Sequence, residues 1–244
     1  MSSTGIPPIG IVKGKKPHIQ EMFDSIAPRY DLLNRVLSGG IDQKWRRKVI
    51  KEILLDQPRR ILDIATGTAD LALLAAAKGD AQIVGVDISE EMLEVGRQKI
   101  KQRKLDEQIV LQSGDAEKLP FSDRQFDAAM VSFGVRNFED LDAGLFQIHR
   151  VLKPGGKLVV LEFSRPSAFP IKQFYAFYNR FILPFIGRMV SGDSGAYTYL
   201  PESISVFPEG ADFLAYMKRA GFSETNSTRL TFGIASMYVG RRAR

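Results

Sequence analysis

Cysteine is absent from the 244-residue chain, which also contains only two histidines and one tryptophan. Without cysteine there can be no disulfide, no thiolate metal site and no cysteine nucleophile. His18 and His149 are too few for a histidine-rich metal centre, so no bound metal is expected. His149 falls within a helical pattern, and we expect it to be a surface or packing residue.

Long apolar runs are also scarce. The first 16 residues are rich in glycine and proline and lack the apolar core of a secretory signal, which predicts a cytoplasmic protein. Residues 169–190 form the most aromatic segment, but polar residues and a proline interrupt it, so we do not expect it to span a bilayer. The interruptions are Lys172, Gln173, Asn179, Arg180 and Pro184.

The remaining composition is that of a globular protein. Apolar residues make up 44% and charged residues 25% of the chain, which suits one domain with a sizeable core. The net charge is +6, from 34 Lys and Arg against 28 Asp and Glu. This excess is compatible with a nucleic-acid partner, with an anionic membrane surface or with no specific partner.

Strand-like and helical patterns alternate through the middle of the chain, which predicts an α/β fold with a buried parallel sheet and helices on both faces. The predicted strands cover residues 60–64, 82–86, 109–112, 126–132 and 157–163. The predicted helices between them cover residues 68–78, 90–103 and 140–152. A last helix at 209–220 and two strands at 222–229 and 232–240 follow.

The flanking segments suggest a domain plan. Residues 1–17 are predicted to be a flexible arm, and residues 18–244 a single domain. Within it, residues 18–55 carry helical spacing, and residues 168–208 are predicted to be a helix and loop that cover the site, with a loop from 191. The basic run around Trp45 is expected to be a solvated helix face with the indole packed inward.

The turn after the first predicted strand combines small residues with acids. Gly67 is its single glycine, whereas a dinucleotide turn needs three to cradle a pyrophosphate. A ligand without a pyrophosphate is not repelled by carboxylates, so Asp63 and Asp70 are compatible with this turn and suggest a cationic ligand. Asp70 is equally compatible with an ordinary acidic first turn of a helix.

Asp87 ends the second predicted strand, where an acid commonly accepts hydrogen bonds from ribose hydroxyls. Ser89 and two glutamates already supply the cap and the acidic first turn of the next helix, so we expect Asp87 to be left for a ligand. Asp115 and Ala116 follow the third strand, where a carboxylate and a small residue suit an adenine, and Ser132 ends the fourth. Four polar or small strand ends on one edge predict a nucleoside-like ligand.

Beyond residue 20 the chain resembles the ubiquinone/menaquinone biosynthesis C-methyltransferases, a family of class I methyltransferases. The shared motifs are residues 23–34 (FDSIAPRYDLLN), 42–46 (DQKWR), 67–71 (GTADL), 114–121 (GDAEKLPF), 132–137 (SFGVRN), 150–156 (RVLKPGG), 161–164 (LEFS) and 196–204 (AYTYLPESI). The motifs at 132–137 and 196–204 are the most specific to that family. A departure is Ala69, where some members carry a second glycine.

The resemblance implies S-adenosylmethionine as cofactor, with contacts from Thr68, Asp87, Asp115, Ala116 and Ser132. It also implies a Rossmann-like, mostly parallel seven-stranded sheet whose last strand is antiparallel. The implied substrate is a demethylated polyprenyl quinol that is methylated on a ring carbon. Whether the ring is a naphthoquinone or a benzoquinone stays open, and so does the formation of a homo-oligomer.

A quinol carbon becomes a better nucleophile when its neighbouring hydroxyl loses a proton, and a cation that stabilises the phenolate assists this. Arg136 is the leading candidate, with Asn137 as hydrogen-bonding partner; a surface ion pair of Arg136 with Glu139 or Asp140 is the alternative. Tyr30 and Asp31 are expected to close the site from the amino-terminal helices. Tyr197 and Tyr199 are candidates to close it from the late loop.

The aromatic segment suggests how the protein reaches a membrane-dissolved quinol. Phe174, Phe177, Tyr178 and Phe181 are expected to form an apolar channel for the polyprenyl tail. Lys172, Arg180 and Arg188 would then lie near anionic headgroups at the inner face of the cell membrane.

Three other classes of function were compared with this one. A nucleic-acid methyltransferase fits the charge, but the chain lacks the cysteine of pyrimidine enzymes, the Pro-Pro-aromatic motif of adenine enzymes and an RNA-binding module, so no nucleic-acid partner is expected. A non-catalytic nucleotide-binding protein would not need polar residues at four strand ends. A dehydrogenase is disfavoured by the missing glycines.

Overall fold

Seven strands form one sheet in the computed structural model, which describes residues 14–182 and 195–244. They are β1 (Arg60–Ile64), β2 (Gln82–Asp87), β3 (Ile109–Ser113), β4 (Phe126–Ser132), β5 (Leu152–Phe163), β6 (Phe222–Leu230) and β7 (Ala235–Arg242). Their order is β3-β2-β1-β4-β5-β7-β6. The first five are parallel, and β7 is antiparallel to both of its neighbours. The predicted fold class is confirmed.

Nine α-helices surround this sheet in the described part of the chain. They are α1 (Lys16–Ile26), α2 (Tyr30–Leu37), α3 (Asp42–Leu54), α4 (Asp70–Ala76), α5 (Glu90–Gln102), α6 (Leu141–Val151), α7 (Ile171–Phe177), α8 (Gly195–Val206) and α9 (Ala211–Arg219). Short 3-10 turns cover Ala27–Arg29, Val135–Asn137 and Thr231–Gly233. Helix α1 begins slightly before the end of the predicted arm, most of which lies outside the described residues.

The core has one layer on each face of the sheet. Side chains of α3, α4 and α5 pack on one face, and side chains of α6 and α9 pack on the other. The central strands are therefore buried on both sides, as their continuous apolar runs predict. Each fully buried leucine or isoleucine in these strands contributes about 1.5–3 kcal/mol to folding.

The loop predicted from residue 191 is wrong over most of its length, because α8 occupies Gly195–Val206. Pro201 and several small or β-branched residues give this segment low helix propensity. Tyr199 and Ile204 are nevertheless buried, so tertiary packing holds the helix. Residues 191–194 and the side chain of Tyr197 lie outside the described part.

The basic run in α3 is only partly a solvated face. Trp45 packs inward as predicted, and its indole N–H donates to the Thr231 hydroxyl at 2.8 Å. Lys44 and Arg47 are exposed, but Arg46 is buried. The prediction of a solvated side chain is therefore wrong for Arg46, which points to the same side of the helix as the tryptophan beside it.

The aromatic segment after β5 forms α7 and a π-helical turn at Tyr178–Ile182. Residues 183–190 lie outside the described part. Within residues 14–182 and 195–244, no helix combines the length and apolar character needed to cross a membrane.

A buried carboxyl group lies near the carboxyl end of β1. Asp63 accepts a hydrogen bond from the Thr66 hydroxyl at 2.7 Å. Burial raises the pKa of Asp63 to about 7, although the Thr66 hydrogen bond and the charge of Arg46 act in the opposite direction. The folded protein therefore keeps a proton on Asp63 at pH values where the unfolded chain has lost it.

This retained proton makes the free energy of unfolding depend on pH. Between the ordinary aspartate pKa, about 4, and the folded value of about 7, the native state binds more protons, so stability falls as pH rises. Asp63→Asn removes this contribution. Its stability relative to wild type should increase by a few kcal/mol on going from about pH 4 to about pH 8. Urea denaturation of both proteins across this range measures the difference, and parallel curves would contradict it.

Candidate active site

The strand order reverses between β1 and β4, which leaves a crevice at the carboxyl ends of the parallel strands. A cavity of about 680 Å³ occupies this position, and we call it the edge cavity. The predicted site residues that line it are Tyr30, Gly67, Asp87, Asp115, Ala116, Ser132 and Asn137. The predicted residues Asp31, Asp63, Thr68, Asp70 and Arg136 do not line it.

Asp87 connects the turn after β1 to the start of α5. Its carboxylate accepts hydrogen bonds from the backbone N–H of Gly67 at 2.8 Å and of Ser89 at 3.0 Å. Burial raises the pKa of Asp87, which these backbone donors counteract. Ser89 caps α5 through the N–H of Met92, as predicted, but the backbone partners of Asp87 were not expected. Its carboxylate still borders the cavity.

Gly67 adopts a left-handed conformation, with φ of +54°. A side chain there would be strained, which accounts for the glycine in the turn. The closest side-chain atom to the position of a Cβ at Gly67 is Cε1 of Tyr30, at 3.9 Å. The ring of Tyr30 therefore lies over the turn and brings the amino-terminal helices to the edge of the sheet.

Asp115 already has a cationic partner. Its Oδ2 lies 2.7 Å from Nζ of Lys16, which also contacts Glu117 at 2.8 Å. The start of α1 thus covers the end of the cavity where an adenine amine was expected to bind. Lys16 was not among the predicted site residues, because a lysine at the edge of a flexible arm carries no sign of a contact 99 residues away.

Asp31, Thr68 and Asp70 belong to a separate polar cluster around Lys99. The ammonium of Lys99 donates to Asp31 at 2.7 Å, to the Thr68 hydroxyl at 3.2 Å, and to Asp70. The Thr68 hydroxyl donates to Asp31 at 2.5 Å. These contacts join α2, the turn after β1, the start of α4 and α5, and none of the three predicted residues lines the edge cavity. Lys99 was missed because a lysine on an amphipathic helix is usually solvated.

Arg136 is buried rather than on the surface. Its Nη1 contacts Glu162 at 2.8 Å and the Phe133 carbonyl at 2.5 Å. Glu162 is fully buried, so the proposed surface pair with Glu139 or Asp140 is wrong. Burial is the largest single influence and opposes the charge of Arg136, but the charge and hydrogen bond of Glu162, together with Tyr199 and Tyr30, raise the pKa of Arg136 above its ordinary value. The guanidinium is therefore held as a cation.

Two polar residues close to Arg136 in the sequence, Ser132 and Asn137, line the edge cavity. Asn137 lines the edge cavity, and its Oδ1 accepts a hydrogen bond from the Tyr199 hydroxyl at 2.9 Å. This bond fixes the amide so that its N–H₂ group remains as the donor. The Ser132 hydroxyl is buried, lines the cavity and has no hydrogen-bond partner among the described residues. A buried hydroxyl without a partner is unfavourable unless a ligand supplies one.

A second, larger recess adjoins the first. It holds about 1670 Å³ and is lined mainly by apolar side chains of α2, α3, α7 and α8, and we call it the apolar groove. Phe174, Phe177 and Tyr178 of the predicted channel line it, whereas Phe181 does not. Phe133 lines both the edge cavity and the apolar groove. A ligand in the groove would therefore meet a ligand in the cavity beside this one ring.

Comparison of the sequence with known proteins relates the chain to a family. The family model described as the ubiE/COQ5 methyltransferase family matches residues 11–242. A demethylmenaquinone methyltransferase from Deinococcus radiodurans is 48% identical over 98% of this chain and 99% of its own length. A ubiquinone/menaquinone biosynthesis C-methyltransferase from Geotalea daltonii is 48% identical over 94% of this chain and 97% of its own.

Solved structures show the same fold at low sequence identity. The cyclase SpnF superposes with a TM-score of 0.69 at 18% identity, covering 92% of this chain and 95% of its own. A SAM-dependent methyltransferase from Thermotoga maritima gives 0.65 at 20% identity, covering 92% and 100%. The fold is thus shared with proteins that do other chemistry. The sequence relatives and the family match decide the class: the chain belongs to the ubiE/COQ5 methyltransferase family, which confirms the methyltransferase predicted from its sequence.

Proposed function

We propose that the protein transfers the methyl group of S-adenosylmethionine to a ring carbon of a demethylated polyprenyl quinol. The observation that carries the proposal is the position of Phe133, where the edge cavity, with its polar side chains at the strand ends, meets the apolar groove. A nucleoside cofactor suits the first recess and an aromatic ring with an isoprenoid tail suits the second. The relatives from Deinococcus radiodurans and Bacteroides fragilis are named for demethylmenaquinone, so we expect a naphthoquinol ring.

The residues of the edge cavity fit S-adenosylmethionine. Asp87 offers carboxylate lone pairs for ribose hydroxyls, and Asp115 offers an acceptor for an adenine amine once Lys16 moves or shares it. The Ser132 hydroxyl lacks a partner that a polar ligand can provide. The bound cofactor supplies a methyl group made electrophilic by its sulfonium.

Ser132→Ala tests this fit without breaking an internal hydrogen bond, because the hydroxyl has no partner in the described structure. The variant should keep the melting temperature of wild type and bind S-adenosylmethionine about threefold to tenfold more weakly, the cost of one neutral hydrogen bond. Calorimetry measures both quantities. Thr225→Val is the matched control, since the Thr225 hydroxyl is also buried and unpartnered but lies on β6.

Equal cofactor affinity in Ser132→Ala and Thr225→Val would remove Ser132 from the binding site. A large fall in melting temperature for Ser132→Ala would instead indicate a structural role.

We infer that Arg136 stabilises the quinol as a phenolate: its side chain lines neither recess, but its guanidinium carbon lies 5.5 Å from the centroid of Phe163, which lines the apolar groove. Glu162 and the Phe133 carbonyl fix its guanidinium, and its raised pKa prevents it from acting as the base. Its positive charge lowers the cost of losing the hydroxyl proton, which moves electron density onto the neighbouring ring carbon. The N–H₂ group of Asn137, whose amide is fixed by Tyr199 and lines the edge cavity, adds a neutral hydrogen-bond donor.

A ring carbon forms a bond to the methyl carbon while the sulfur–methyl bond breaks. The quinol oxygen loses its proton before or during attack. The methylated ring carbon then loses its hydrogen as a proton, the ring regains aromaticity and the oxygen is protonated again. One proton is released for each methyl group transferred.

The direct test is transfer of a labelled methyl group from S-adenosylmethionine to reduced demethylated naphthoquinone or benzoquinone, with the product identified by mass. We expect label on the naphthoquinol ring carbon. Arg136→Gln alone would leave Glu162 charged and unpaired in the interior, at a cost of about 3–5 kcal/mol. The double variant Arg136→Gln with Glu162→Gln avoids this.

The double variant should remain folded and bind S-adenosylmethionine as wild type does, while turnover falls by about a hundredfold or more. Turnover within a few fold of wild type would refute phenolate stabilisation by Arg136. Absence of labelled product with either quinol in wild type would refute the proposed substrate class.

The exposed aromatic residues around the groove suggest where the quinol enters. Phe174 is 69% exposed and Phe232 is 76% exposed, and both line the apolar groove. Phe169 and Phe181 are exposed nearby in the chain, with the exposed cations Lys172 and Arg180 among them. Arg188 lies outside the described residues. We propose that this face docks reversibly on an anionic bilayer at the cytoplasmic side and admits the tail directly into the groove.

Liposome flotation measures this docking. Wild type should float with anionic vesicles and less so at high salt. Replacing Phe174 and Phe232 together by serine should reduce the bound fraction at least fivefold, because each inserted phenylalanine is worth about 1.5–3 kcal/mol. Phe146→Ser is the matched control: Phe146 is 56% exposed but lies on α6, across the sheet.

Docking is refuted if wild type binds neither anionic nor neutral vesicles and still methylates long-tailed quinols at its full rate.

A further inference from the structure

The guanidinium of Arg46 lies in an apolar recess and leaves one of its hydrogen-bond donors unused. The residue is 6% exposed and lines the apolar groove, with Asp42 as the other charged residue among the described lining residues. Its Nε is buried and has no hydrogen-bond partner within residues 14–182 and 195–244. Burying a guanidinium donor without an acceptor is costly, so the arrangement calls for a ligand that completes it.

The nearby carboxylate of Asp42 does not complete it. Oδ2 of Asp42 lies 3.6 Å from Nε of Arg46, which is too long for a hydrogen bond. Asp42 accepts instead from the Ser38 hydroxyl at 2.8 Å and from the Gln43 amide at 3.1 Å. Asp42 therefore balances part of the charge of Arg46 but leaves its donor unused.

Arg46 and Arg136 flank the same pair of aromatic rings. Phe133 and Phe163 are stacked with centroids 4.4 Å apart. The guanidinium carbon of Arg46 lies 5.4 Å from the centroid of Phe133, and that of Arg136 lies 5.5 Å from the centroid of Phe163. The two cations are thus held around one pair of aromatic rings, both of which line the apolar groove, while Phe133 also lines the edge cavity.

Tyr30 gives a second sign that the two cations converge. Burial raises the pKa of the Tyr30 phenol, and the positive charges of Arg46 and Arg136 both act against that rise. A phenol oxygen near this position is therefore within electrostatic reach of both guanidiniums. The groups that face Arg46 are Asp42 from its own helix, Tyr30 from α2 and Asp63 from β1.

We propose that Arg46 binds the second ring oxygen of the quinol, the one para to the oxygen that Arg136 stabilises. The inference rests on the proposed function and adds a ring-binding residue to it. The two oxygens of the substrate ring would each meet a guanidinium, so the site selects aromatic rings with oxygens in para positions. The unpaired Nε donor of Arg46 and the apolar surroundings then serve recognition of that second oxygen.

A cycle of ligand and protein changes tests this assignment. The probes are naphthohydroquinone, which has two para oxygens, and naphthol, which has one, each used under anaerobic conditions as a competitor of methyl transfer with saturating cofactor. Wild type should prefer naphthohydroquinone by about tenfold or more, the usual effect of one hydrogen bond to a charged group. In Arg46→Gln the preference should fall to about twofold or less.

Arg47→Gln is the matched control, because Arg47 is the next residue in the helix and is exposed. It should keep the wild-type preference. If Arg46→Gln does not fold, the double variant Asp42→Asn with Arg46→Gln removes both members of the buried pair and should show the same loss of preference. The affinity for S-adenosylmethionine should not change in these variants.

An undiminished preference for naphthohydroquinone in folded Arg46→Gln, or in the double variant, would overturn the assignment. So would equal inhibition of wild type by both probes. If wild type methylates neither quinol, the proposed function fails, and competition is then followed directly as probe binding by calorimetry. Failure of the function and failure of the Arg46 assignment are therefore separable.

Discussion

The parallel alignment of β2, β1 and β4 obliges three strand ends to meet at one edge of the sheet, and the rest of the site depends on this. Because β1 lies between strands whose connections run in opposite directions, the loops after it diverge and leave a crevice. Asp87 and Ser132 come to the crevice as the last residues of β2 and β4.

Around that edge, the protein keeps several titratable groups out of water. Arg136 and Glu162 form a buried pair, and Asp63 retains a proton near β1. Such groups are expensive to bury, and they seldom stabilise a fold more than apolar residues would. Under the proposed function, the Arg136–Glu162 pair supplies a fixed electrostatic field around a developing phenolate. The amino-terminal helices close this region, with Tyr30 over the turn and Lys16 over the far end.

Much of this could be predicted from sequence, for physical reasons that differ between parts. The continuous apolar runs predicted both ends of β1 and β4 to the residue, because a strand that is buried on both faces is apolar along nearly its whole length. Strand ends such as Asp87 could be predicted to border the site, because parallel strands end together. The placement of Ser132 follows from the same rule.

Side chains that act across long sequence distances could not be predicted in this way. Glu162 looks like any strand residue until the fold sets it beside Arg136, and Arg46 looks like part of a solvated basic face. Lys99 pairs with Asp31 and Asp70, neither of which lines the edge cavity, and this contact also joins residues far apart in the sequence. Helix α8 was missed because its packing, through Tyr199 among others, outweighs its low propensity. Only three-dimensional contacts carry this information.

The central claim is that cofactor and ring meet beside Phe133, which lines both recesses, and one measurement tests it directly. The protein is saturated with S-adenosylmethionine that carries an isotope-labelled methyl group, and with the oxidised demethylated naphthoquinone, which lacks the hydroxyl needed for reaction. The account predicts a nuclear Overhauser effect between the cofactor methyl and the hydrogen on the unsubstituted ring carbon. A ternary complex in which both ligands are bound without that effect would contradict it.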